Sequence, residues 1–260
     1  MRRPVALPAP WTAFVAARLG VFALALPPVA VAFAFIGWVS DKGLIAALGG
    51  AALVALAALA FAALAFLRIW QSGSQGLGSV ISGSLAAGLV LAIPLLAGIL
   101  FLMIPAVPDL STDLRSPARF DALADDPAPL RLDEDGAGYD QRIMMLDGNF
   151  RTLFIDRPAW HVHEVLTGFA EEQGWQIVSN RAPAGRSAGR IEFIIPSWVP
   201  LMQRRGIIRL IDDGEETAID LRIAMRTLPH DFGKVPEDMR MILDAILTAI
   251  AATPRPQSDL

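Results

Sequence analysis

Three uninterrupted apolar stretches, Leu19 to Val39, Gly43 to Leu67 and Leu85 to Val107, fill most of the first 107 residues, and none contains a charged residue. A helix crossing the hydrocarbon core of a bilayer needs about 20 such residues, so each stretch predicts a transmembrane helix. A buried hairpin of a water-soluble core does not account for three such stretches in succession. A signal peptide does not account for the first, because its apolar region runs to only about 7 to 15 residues. Pro27, Pro28 and Pro94 predict kinks that neighbouring helices or water must satisfy. Ala47, Ala51 and Ala55 recur every fourth residue on the second stretch, with Gly83 and Ala87 on the third. Small residues at that spacing let helix backbones approach closely, within a compact bundle or in a homo-oligomer.

The pattern changes at Pro108. Asp109, Ser111, Thr112, Asp113, Arg115, Ser116 and Pro117 make a polar, extended connector, and Phe120 to Tyr139 shows neither apolar period, so it reads as an irregular loop. Within that loop Asp133, Asp135 and Asp140 lack the spacing of a calcium loop. Periodic elements then return. Strands are predicted near Arg151–Asp156, Gln176–Asn180, Arg190–Pro196, Ile207–Ile211 and Ala218–Met225. Helices are predicted at about Pro158–Gln173, with Val162, Val165, Leu166 and Phe169 on one face, and at about Pro236–Ala252. Asp212-Asp213-Gly214 between two β-rich runs signals a hairpin. The organisation is therefore a three-helix transmembrane domain (1–107), a polar connector and loop (108–140), and an α+β soluble domain (141–260). Its fold class is membrane α-helical followed by a mainly antiparallel sheet with two helices.

Composition sharpens this picture. With 54% hydrophobic and 18% charged residues, the chain is neither an ordinary soluble protein nor a disordered one. The first 107 residues carry Arg2, Arg3, Arg18, Lys42 and Arg68 against Asp41 alone, a charge of +4, which leaves −8 for the remainder. A domain so acidic is a poor nucleic-acid binder, because that affinity rests on neutralising phosphates. Arg2, Arg3, Arg18 and Arg68 fall on one side of the predicted spans, and Lys42, Arg115 and Arg119 on the other. Basic residues favour the cytoplasmic side, so the N-terminus is expected there and everything after Val107 in the periplasm. The predicted spans hold no ionisable group, which argues against a transporter or proton relay. The absence of cysteine removes disulfides, thiolate metal sites and a cysteine nucleophile.

Candidate chemistry is sparse. His161 and His163 share a face on a strand but diverge around the helix that the local pattern predicts, so they make a poor metal pair, and His230 stands far downstream. Gly73, Gly76 and Gly78 follow a membrane helix rather than a strand, so no nucleotide loop or other cofactor motif is present. The clearest alternation lies in β-rich 219–226, where Ile219, Leu221, Ile223 and Met225 interleave with Asp220, Arg222, Ala224 and Arg226. Arg209 on the preceding strand and Asp231 just beyond extend the polar face. Two readings fit: a solvated sheet face with ordinary ion pairs, or a guanidinium-lined groove that grips a carboxylate or phosphate.

Asp109-Leu-Ser-Thr-Asp113 with Pro117 and Phe120, and Asp220-Leu-Arg222 with Arg226, Asp231 and Gly233, resemble the two best-marked motifs of the domain of unknown function 1499 family. The resemblance spans roughly Pro108 to Ala252. Ile223, Met225 and Leu228 stand where the later motif, DxRSxSRxGxxDxG, has two serines and a glycine. Arg204-Arg205 replaces an acidic pair, and Arg209 falls where the family tends to have an arginine. The resemblance implies an exported or membrane-attached bacterial domain with no assigned reaction. The expected function is an inner-membrane protein whose non-catalytic periplasmic domain binds or organises an envelope component, a protein or an anionic ligand. The alternative is an envelope enzyme whose anionic substrate is held by Arg209, Arg222 and Arg226, with Asp220 or Asp231 as general base.

Overall fold

The computed structural model describes residues 7–124, 150–185, 187–212 and 216–255. The acidic stretch 133–140 and the 213–214 part of the expected hairpin turn lie outside the described residues. The chain divides into two compact units, Met1–Leu102 and Met103–Leu260.

The first unit consists of helices α1 (Trp11–Phe35), α2 (Asp41–Ser72) and α3 (Leu77–Met103), all long and apolar enough to cross a membrane. The chain is thus a membrane-anchored protein. The helices extend beyond their apolar runs, because local signals set their ends. Ser40 caps α2 by accepting the Gly43 N–H at 3.3 Å, and Gly73 closes it in the left-handed conformation at φ 66°. Since α1 begins at Trp11, Arg18 stands inside that helix rather than ahead of it.

The interior of this unit is made of small residues. Ala51, Ala55 and Ala58 of α2 meet Ala23 and Ala87, while Ala62 and Ala65 meet Ala13, Ala16 and Val80. At the α1–α3 crossing the backbones touch: a Cβ on Gly20 would lie 2.5 Å from the Gly83 carbonyl oxygen, and one on Gly83 would lie 2.6 Å from that of Ala16. Large side chains such as Phe22, Leu53, Leu89 and Leu95 point outward. That inversion suits a hydrocarbon solvent, in which apolar bulk gains nothing by burial and close backbone approach does the holding.

The second unit contains β1 (Asp109–Ser111), β2 (Leu153–Ile155), α4 (Ala159–Glu172), β3 (Gln176–Arg181), β4 (Gly189–Ile195), a 3₁₀ turn (Pro200–Met202), β5 (Arg204–Asp212), β6 (Thr217–Met225) and α5 (Lys234–Ala252). The sheet is antiparallel throughout, in the order β1-β6-β5-β4-β3, with β2 also beside β6. β1 pairs with Arg222–Ala224 and β2 with Thr217–Ile219, so the two short strands share one side of β6. β1 lies within the expected connector; three residues are too few to display a period of two.

Alternation along the strands sends Ile191, Phe193, Ile208, Leu210, Ile219, Leu221 and Ile223 into one core with Val162 and Leu166 of α4 and Val235, Met239, Ile242 and Ile246 of α5. Gly206 leaves room for the Phe193 ring, which a Cβ there would meet at 2.4 Å. Trp175 stacks on that ring at 4.2 Å.

Candidate functional site

The sheet face turned away from that core carries the alternating charges. Arg209 of β5 stands in register with Asp220 of β6, and Ser111 of β1 with Arg222. The Arg209 guanidinium donates to Asp220 Oδ2 from Nε at 3.0 Å and from Nη2 at 2.6 Å, and Nη2 also donates to Asp113 Oδ2 at 2.9 Å. Asp220 accepts a further bond from the Thr152 hydroxyl. Arg222 grips Asp109 through two parallel bonds, Nε to Oδ1 at 2.9 Å and Nη2 to Oδ2 at 2.6 Å. That fork geometry is the strongest arginine–carboxylate arrangement. The pairing differs from a simple Asp220–Arg222 match, because those two side chains reach in opposite directions across the sheet to separate partners.

The chain from Thr112 to Ala124 runs over these groups and is fastened at several points. Thr112 continues the strand pairing by donating its N–H to the Leu221 carbonyl at 2.9 Å, and its hydroxyl accepts the Leu221 N–H at 3.0 Å. Asp113 Oδ1 accepts the N–H groups of Arg115 and Ser116, each at 3.0 Å. Those backbone donors, Ser116 foremost, together with Arg209 hold its carboxyl below the ordinary carboxylate range despite some desolvation. Arg222 Nη1 donates to the Ala118 carbonyl at 2.8 Å, and the Phe120 ring lies against the Arg205 and Arg222 guanidiniums at 4.5 and 5.2 Å. Glu192, only 1% exposed, accepts three backbone N–H groups: Asp121 at 2.9 Å and Ala122 at 3.3 Å on Oε1, and Leu123 at 3.1 Å on Oε2. Arg205 Nη1 donates to the Leu123 carbonyl at 2.8 Å, and Arg190 pairs with Asp121.

Among the described residues the guanidiniums of Arg190, Arg205, Arg209 and Arg222, with Arg181 3.9 Å from Asp121, therefore face the carboxylates of Asp109, Asp113, Asp121, Glu192 and Asp220, five against five. An incoming anion has to displace a carboxylate already in place. The arrangement is chemically suited to fastening a chain segment across a sheet.

Arg226 and Asp231 stand apart from this network, beyond the end of β6. Arg226 Nη1 donates to Gln203 Oε1 at 2.8 Å, and its backbone N–H donates to the Gln203 carbonyl at 3.2 Å. Asp231, fully buried, accepts the Val107 N–H at 2.8 Å and the Val235 N–H at 3.3 Å. It joins the incoming chain to the first turn of α5. His230 Nδ1 accepts the Phe232 N–H at 3.0 Å, so in the neutral ring the proton lies on Nε2, 3.0 Å from the Ile104 carbonyl oxygen. Gly233 has φ 79°, a conformation glycine adopts without steric cost.

His161 and His163 lie on α4, as the helical period required. Among the described residues no three His, Cys, Asp or Glu side chains are grouped to hold a metal ion. His161, Glu164, Phe169 and Glu172 of α4 line a groove of about 500 Å³ with Ala249, Ala252 and Thr253 at the end of α5.

The alternation located Arg209, Asp220 and Arg222, but several fastening residues were missed. Glu192 announced itself only as a lone acid between Ile191 and Phe193. Arg204 forms a buried ion pair with Asp238, Nε to Oδ2 at 2.6 Å, and also donates to the Met202 carbonyl at 2.6 Å. Burial raises the Asp238 carboxyl above its ordinary range, outweighing the pull of Arg204. Comparison with protein-family models and with curated proteins finds no match for this chain.

Proposed function

We propose that this chain is a bacterial inner-membrane protein that presents a non-catalytic α+β domain to the periplasm, where it binds or organises an envelope component. The observation that carries this reading is the closed Arg/Asp/Glu network: its guanidiniums are engaged by carboxylates and by backbone carbonyls of the overlying 112–124 segment. Residues that an anion-processing enzyme would keep available are here used for fastening. The family resemblance is part of the same proposal. Its support is that Asp109, Asp113 and Phe120 of the earlier motif contact Arg209 and Arg222 across the sheet, which gives both motifs a shared role in holding the fold.

The proposed compartment rests on the basic residues. Within the helical unit, Arg68 lies 6.0 Å from the Trp11 ring. The start of α1 and the end of α2 therefore share one side. A reporter fused to Leu260 is expected to be active only if it functions in the periplasm; activity confined to the cytosol overturns the topology. For the domain itself, Arg209→Lys and Arg222→Lys are expected to lower the melting temperature of the full-length protein in detergent, without changing the ligands retained in a mass-spectrometric survey of the purified protein. Selective loss of a bound anion at unchanged melting temperature favours the enzyme instead.

A further inference from the structure

The end of the sheet at which the chain enters the second unit collects three segments. Pro108 O accepts the Met225 N–H at 2.8 Å, so β1 begins where β6 ends. Arg204 pairs with both Met225 and Ile195, which places the start of β5 and the end of β4 at the same level. Residues 104–108, the β4–β5 loop 196–203 and the β6–α5 turn 226–233 therefore lie at one edge. The first of these is firmly held there: Ile104 is bonded to His230, and Val107 to Asp231.

Ile104 follows directly on Met103, the last residue of α3, and that helix ends in Phe101, Leu102 and Met103, all apolar and exposed. Apolar surface of that kind suits hydrocarbon up to the helix end, and no polar residue separates Met103 from Ile104 in the sequence. At this edge the β4–β5 loop reads Pro196-Ser-Trp-Val-Pro-Leu-Met202. Trp198 is 86% exposed, the most exposed large apolar side chain described in the chain. β4 is three strand positions from β1, or roughly 14 Å at about 4.8 Å per strand. That distance keeps the loop near Ile104, the residue that follows the last membrane helix in sequence, where the chain passes the boundary between lipid and water. Tryptophan is the side chain best suited to such a boundary, with an apolar body and one N–H for the headgroup layer.

We propose that the Trp198 loop is a lipid-docking element, inserting its indole into the headgroup layer of the membrane that anchors the chain and fixing the tilt of the α+β unit on that surface. The proposal goes beyond the function above and holds for either compartment.

The chain has no cysteine, so Trp198→Cys and Ile211→Cys each give one labelling site, at opposite ends of the sheet. Full-length protein carrying bimane at either position is reconstituted into phosphatidylcholine–phosphatidylglycerol vesicles, with or without bromine on the acyl chains. Bromine is expected to remove at least half the emission at position 198 and to leave that at 211 unchanged. Equal quenching at both positions, or none at 198, overturns the proposal. A blue shift at 198 that is insensitive to bromine and grows with protein density also overturns it, by assigning the loop to a second copy of the chain. Trp198→Ala is expected to melt in detergent as the parent protein does, which separates docking from folding.

Discussion

In the helical unit the fully buried positions are almost all alanine or glycine, and the large side chains face outward; in the α+β unit Phe193, Leu166, Ile208, Leu221 and Met225 are buried, and charges are held under a covering segment. The same chain solves two different solvation problems. Water drives bulky apolar groups inward and tolerates buried ions only when they are paired. Hydrocarbon exerts no such drive, so contact between the helices depends on how closely their backbones approach.

The sharpest way to break this contrast is to add bulk where only the membrane unit lacks room. Gly83→Leu is expected to cost about 3 kcal/mol or more, because the new side chain meets the Ala16 backbone rather than a movable side chain. Gly88→Leu, on the same helix with open space around its Cβ position, is expected to be nearly neutral. Detergent melting of the two variants side by side checks this, and equal effects refute the crossing. Next comes Glu192→Ala in the soluble unit. It strips three backbone N–H groups of their acceptor and is expected to lose about 2 to 3 kcal/mol in urea titration of the full-length protein, with Glu192→Gln losing less.

A smaller effect resolves which charges are partners. Arg222→Lys, which gives up the fork on Asp109, is expected to cost about 1 to 2 kcal/mol. A double-mutant cycle should find strong coupling between Arg222 and Asp109 and weak coupling between Arg222 and Asp220; the reverse ranking contradicts the geometry.

The smallest effect is in pH dependence, and two carboxylates pull in opposite directions. Asp113 titrates below its unfolded value of 3.8, so the stability it adds is present above that value and lost as pH falls through the folded pKa. Asp238 titrates above 3.8, so the folded state binds the extra proton, and that contribution is present at low pH and lost as pH rises through the folded pKa. The stability gap between parent and Asp113→Asn should therefore shrink on acidification, while that between parent and Asp238→Asn shifts in the parent's favour. Parallel pH profiles for both variants contradict this assignment.

Much of the architecture could be read locally. Charge-free runs marked the three spans, an apolar stripe marked each helix of the soluble unit, and alternation placed Asp220 and Arg222 on the face away from the core. These signals depend on solvent and on neighbours a few residues away, so they are present in the order of the amino acids. The partners were not legible in the same way. Asp109 and Arg222 are 113 residues apart and Asp113 and Arg209 are 96 apart, and nothing local distinguishes those pairings from Asp220 with Arg222.

Only the register of β1 and β5 against β6 decided which carboxylate each guanidinium meets. Only the path of 112–124 across the sheet turned an apparent open face into a covered one. The amino-acid order alone determined which segments avoid water and which faces carry charge, because hydrophobic period is a local property. Closure of the Arg/Asp/Glu network belongs to the tertiary structure, because an ion pair forms where distant strands bring charges within a few ångströms.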